Sequence, residues 1–101
     1  MTNPRRSRRR WLIGAPAPVL AVYDNGGKSA DRYTVLYGAP IWAPGEYQNG
    51  LLPARAMSSE PCSAQGVGLF VEAMRGPHLG KKIEWASLPE PCKRLVELDC
   101  L

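Results

Sequence analysis

The polar groups best placed to do chemistry lie in Asp24-Asn25-Gly26-Gly27-Lys28-Ser29, with Asp31 and Arg32 directly after. An apolar run leads into this segment, and its closing Gly-Lys-Ser has the look of a phosphate-cradling loop, in which backbone amides and a lysine surround the phosphates. The full pattern requires a glycine five residues before Gly27, and Val22 stands there. A hairpin turn accounts for the segment better, because Asn-Gly tolerates positive φ at both positions. Exposed amides, Asp24, Asn25, Lys28, Asp31 and Arg32 would also suit recognition of a partner.

His78 is the only histidine and sits in Gly76-Pro77-His78-Leu79-Gly80. It could serve as a general base only with a positioned partner. Ser58, Ser59 and Cys62 are candidate nucleophiles, yet no elbow motif surrounds them. A small hydrolase-like enzyme would need Asp24, Asp31, Arg32, Ser58 and His78 to converge. The reading preferred over that alternative is a non-catalytic binding protein, with a partner surface formed by the 24–32 turn and His78 and with no catalytic residue. Cys62, Cys92 and Cys100 plus one histidine could make a zinc set, but no two cysteines have the short spacing of structural zinc sites. Neither a metal nor a cofactor is expected. Cys92 and Cys100 fall about 12 Å apart along a helix, too far for a disulfide. Free thiols in a reducing compartment follow.

Arg5, Arg6, Arg8, Arg9 and Arg10 supply five of the thirteen basic residues, and the net charge is +4. Without them eight basic side chains face nine acidic ones, so the body is close to neutral. The arm, followed by Trp11, suits nucleic-acid phosphates, with stacking as an addition. Phosphate contacts carry no sequence information, so such binding would be non-specific. Ser7-Arg8-Arg9-Arg10-Trp11-Leu12-Ile13 also resembles a twin-arginine export signal. The short apolar stretch that follows, broken by Pro16 and Pro18, argues for a cytoplasmic protein instead. No run reaches the roughly 18–20 apolar residues of a membrane span.

The elements that would position these groups are short. The chain has 101 residues, enough for one domain, with ten prolines and ten glycines that imply many turns. Residues 1–15 read as a disordered basic arm and 16–101 as a single α+β domain. Residues 18–23 and 32–37 read as a hairpin, 66–74 and 82–85 as further strands. Residues 38–65 read as loop, with Ile41-Trp42 and Leu51-Leu52 as brief strands or core anchors and a single helical turn over 57–62. Ser87 and Glu90 have capping-box spacing before a C-terminal helix whose Leu88, Cys92, Leu95 and Val96 form one apolar stripe. The expected fold is α+β and loop-rich, a mostly antiparallel sheet of about four strands with one C-terminal helix.

Three sets of segments carry a resemblance. They are Val22-Tyr23-Asp24-Asn25-Gly26-Gly27-Lys28 with Asp31-Arg32-Tyr33-Thr34-Val35; Met57-Ser58 with Gln65-Gly66-Val67-Gly68; and His78-Leu79-Gly80-Lys81-Lys82-Ile83 running into Leu88-Pro89 and Leu95-Val96. Together, over about residues 20–101, they resemble a group of small uncharacterised proteins from bacteria and their phages or plasmids. The resemblance implies no catalytic role. A mobile-element origin favours a binding protein that acts on a host protein or nucleic-acid complex, as a regulator or an inhibitor of host defence.

Overall fold

The computed structural model describes residues 10–39, 41 and 50–101. β1 (Val19–Asp24) and β2 (Tyr33–Tyr37) form the expected hairpin. β3 (Leu51–Met57) and β4 (Gly68–Met74) extend it as an antiparallel meander. β5 (Lys81–Ile83) returns to the far side and pairs with β1, giving the order β4-β3-β2-β1-β5. The sheet therefore has five strands where about four were expected.

The additional strand is β3, in a region expected to be loop. Its sequence, Leu-Leu-Pro-Ala-Arg-Ala-Met, lacks β-branched residues and holds a proline that argues against a central strand. The β2 ladder ends at the Leu36–Ala54 pair, one residue short of Pro53, so the proline stands outside it. Met57 closes β3, and the helical turn expected over 57–62 is replaced by tight turns, with Ser63 N–H donating to Glu60 O and Gly66 N–H to Ser63 O. A Cβ at Gly66 would overlap the Glu60 carbonyl oxygen and lie 2.8 Å from the Pro61 carbonyl carbon, so this close approach needs glycine.

β2 is the central strand and is buried at all five positions. Its alternation divides the core in two. Tyr33, Val35 and Tyr37 face the larger cluster, with Val19, Val22, Met57 and Trp85, and the C-terminal helix α1 (Glu90–Asp99) covers that side with Cys92 and Val96. Leu36 faces the other way, with Ala21 and Ala54. The residues between β4 and β5 must pass from one sheet edge to the other, and Leu79, in a 3₁₀ turn at Pro77–Leu79, packs on that second cluster.

The strand expected over 82–85 stops at Ile83, and Trp85 is buried in a second 3₁₀ turn, Trp85–Ser87. Ser87 does not cap the helix. Pro89 forces Leu88 into an extended conformation (φ −72°, ψ 135°), so the helix starts at Glu90 with Pro89 as an uncapped N-cap. The helical stripe holds for Cys92 and Val96, which are buried, and Leu95, which packs beside them; Leu88 is buried just ahead of the helix, not on it. Of the expected disordered arm, residues 1–9, with Arg5, Arg6, Arg8 and Arg9, lie outside the described residues. Residues 10–12 are helical, and Leu12 and Ala15 pack against the larger cluster. Ile41 also packs there as an anchor, whereas Trp42 lies outside the described residues.

Candidate functional site

The turn between β1 and β2 spends its polar groups on itself. The Asp24 carboxylate accepts the Gly26 N–H at 2.7 Å, and Asn25 Oδ1 accepts the N–H groups of Gly27 and Lys28 at 2.8 and 3.0 Å. Those are the amides a phosphate would need. Asn25 Nδ2 donates to Ser29 Oγ, and Ser29 Oγ donates to Asp31. Gly26 and Gly27 hold φ of 77° and 88°, the left-handed conformation that the Asn-Gly-Gly sequence announces. Arg32 grips Asp24 with two bonds, Nε to Oδ1 at 2.7 Å and Nη2 to Oδ2 at 3.0 Å. The hydrogen bonds from Arg32, more than its charge alone, hold the Asp24 carboxyl below its ordinary value, and the same pairing raises Arg32. Lys28 is left exposed.

The strap carrying His78 meets this turn. Gly80 has φ +102°, and a Cβ there would overlap the Asp24 carbonyl oxygen and come within 2.7 Å of the Asn25 nitrogen. His78 is exposed, with its imidazole folded over Gly76. The structure thus brings the 24–32 turn and the 76–80 strap together. Ser58 is occupied elsewhere: its Oγ accepts the Val67 N–H at 3.0 Å, and its carbonyl accepts the Cys92 thiol at 3.1 Å. Burial, with a smaller contribution from neighbouring Cys62, pushes the Cys92 thiol up to about 11. A protonated buried thiol is inert. None of Asp24, Asp31, Arg32, Ser58 and His78 lines either of two surface cavities, one at Trp11 and Leu12 and a shallow one at Arg94 and Leu98. Among the described residues no three metal-ligating side chains cluster, and no helix is long and apolar enough to cross a membrane.

One of those cavities lies at the root of the arginine arm. It encloses about 260 Å³ between Trp11, Leu12, Ala17, Val19, Leu20, Arg75 and Lys82. The bulged start of β1 forms its floor, because the register with β2 shifts between Val19 and Ala21. Lys82 on β5 sets its ammonium 5.3 Å from the Trp11 ring centroid, and the Arg10 guanidinium lies 5.7 Å from it. Arg10 also approaches Glu84 at 3.7 Å, a loose and exposed pair. Sequence reading selected Arg10 and Trp11 but not Arg75 and Lys82, which reach this place only through the strap and the fifth strand.

A second cluster that the sequence did not announce ties the helix to the sheet. Asp99 accepts Tyr37 Oη at 2.6 Å and Arg55 Nε at 2.9 Å, and Arg55 Nη2 donates to its other oxygen. Arg55 also lies 5.1 Å over the Phe70 ring, which stacks near Tyr37. Burial first, then the bond to Asp99, pushes the Tyr37 phenol far above its ordinary value. The partners are 62 and 44 residues apart, so no local pattern links them. One signal was present: an aspartate in the last turn of a helix opposes the helix dipole and therefore needs a cation from elsewhere. Comparison with protein-family models, with curated proteins and with solved structures finds no match.

Proposed function

We propose that the chain is a non-catalytic binding protein of the phage or plasmid kind that contacts a nucleic-acid-containing complex of its host through the arginine arm. One observation carries this reading. The arm runs into the body at Arg10 and Trp11, where two further cations, Arg75 and Lys82, line the same cavity. Arg5, Arg6, Arg8 and Arg9 directly precede Arg10 in the sequence. The hydrolase-like alternative loses support, because Asp24 is committed to Arg32 and Ser58 to Val67. Three free thiols suit a reducing, cytoplasmic setting. The resemblance to phage and plasmid proteins supports action on host machinery, as a regulator or a defence inhibitor.

The test is binding of the full chain to a labelled oligothymidylate, followed by anisotropy over a range of salt. Replacing Arg5, Arg6, Arg8 and Arg9 with glutamine should weaken binding and flatten the salt slope by about 3, at ~0.7 per single-strand phosphate. Equal, weak binding by both chains at low salt would end the nucleic-acid reading.

A second reading is favoured by the contact at Gly80, which sets the Asp24–Asn25 backbone of the turn against the strap of His78. On this reading turn and strap form a surface that docks a host protein. A partner captured from the native host and re-bound in purified form should be lost on Lys28→Glu with His78→Ala, and retained if the surface is idle.

A further inference from the structure

The Trp11 cavity has the parts of a site for one nucleotide of a single strand, and an arginine run alone would not need them. Charge neutralisation requires only solvated cations. Here an indole lines the cavity together with apolar Ala17, Val19 and Leu20. The cations occupy the rim: Arg75 and Lys82 are exposed, and Lys82 lies against the ring. At about 260 Å³ the space lies just below the usual range for small-molecule sites, about 300–1,000 Å³, and suits a single nucleotide unit better than a large cofactor. Single-strand sites combine an aromatic platform for the base with cations that follow the backbone, and this cavity has both. A duplex keeps its bases stacked inside and could use only the cations.

We infer that Trp11 stacks a base of single-stranded nucleic acid while Arg75 and Lys82 bind its flanking phosphates. The inference rests on the proposed nucleic-acid function and adds a defined subsite to it. The Arg10 guanidinium lies over the same ring, so stacking requires that this side chain, 73% exposed and only loosely paired with Glu84, yield its place to the base and turn to the backbone. Recognition is tolerant of sequence, because every base presents a π face.

The experiment compares four full-length chains against a labelled oligothymidylate and against a duplex of the same length: wild type, Trp11→Ala, Trp11→Phe, and Arg75→Gln with Lys82→Gln. Trp11→Ala should weaken oligothymidylate binding by about five- to a hundredfold without changing the salt slope, and Trp11→Phe should recover most of the loss. The double glutamine variant should lower the slope by about 1.4, for two phosphates. Wild type should prefer the single strand. If wild type binds but Trp11→Ala and the double variant bind equally well, the subsite is refuted and the arm's function stands. If wild type does not bind at low salt, the function itself fails. Should Trp11→Ala unfold, Trp11→Phe and the exposed double variant decide, and an unchanged slope in the latter overturns the inference.

Discussion

Removing the Asp99 carboxylate should cost this fold more than any other single polar substitution among the described residues. Asp99 accepts three hydrogen bonds from two strands, and its side chain and that of Arg55 are only 11% and 15% exposed. In Asp99→Ala the Arg55 guanidinium stays against the Phe70 ring with no counter-charge. Breaking a buried ion pair from one side costs about 3–5 kcal/mol, and the residual exposure of Arg55 places this case near 3. A little is returned, because a carboxylate in the last helical turn opposes the dipole by about 0.3–1 kcal/mol. A net loss of about 2–3 kcal/mol corresponds to a melting temperature lower by roughly 10 °C or more in a domain of this size. Urea denaturation, followed by far-UV circular dichroism with an unchanged m-value, measures the free energy directly. The reasoning also requires that Arg55→Met combined with Asp99→Leu be less damaging than the sum of the two single changes, because no orphan charge remains. A loss below about 0.5 kcal/mol for Asp99→Ala, the range of ordinary surface changes, would refute the clamp.

Further outcomes follow from other contacts. Tyr37 has a folded-state pKa raised above its unfolded value, so its contribution is complete below about pH 10 and is lost as pH rises beyond that. Absorbance at the tyrosinate band should therefore show a Tyr37 step that coincides with unfolding, and Tyr37→Phe should abolish that step. Alkylation near neutral pH with mass-spectrometric readout should label exposed Cys62 quickly and leave Cys92 untouched until denaturant is added. Gly80→Ala should destabilise by about 1–3 kcal/mol, since both the positive φ and the Asp24 carbonyl oppose a Cβ; wild-type stability would show that strap and turn are not in contact.

The parts legible in the sequence are those whose cause is local. Asn25-Gly26-Gly27 between two apolar runs announces its own turn, and Cys92 and Val96 announce the buried face of a helix. The strand from Leu51 to Met57 was hidden because neighbours make it a strand: β2 on one side and β4 on the other supply what its propensities do not. The failed cap at Ser87 has a local cause, since Pro89 holds Leu88 extended and the helix can start only after it. For the site, Asp24 and Arg32 stand out in the sequence as polar groups suited to a partner, but only geometry reveals that they satisfy each other. Arg75 and Lys82 carry no signal of their own. Their place beside Trp11 comes from a strap that joins opposite edges of the sheet, a relation between residues far apart in the chain.

The central claim is that nucleic acid meets this protein at the root of the arginine arm. Titration of unlabelled oligothymidylate into the nitrogen-15-labelled full chain tests it most directly. The Trp11 indole N–H and the amides of Arg75, Lys82 and the Val19–Ala21 bulge should shift together, and the amides of Gly26, Gly27 and Lys28 should stay in place. Shifts confined to the 24–32 turn and the strap of His78, or no shifts at low salt, would contradict the claim.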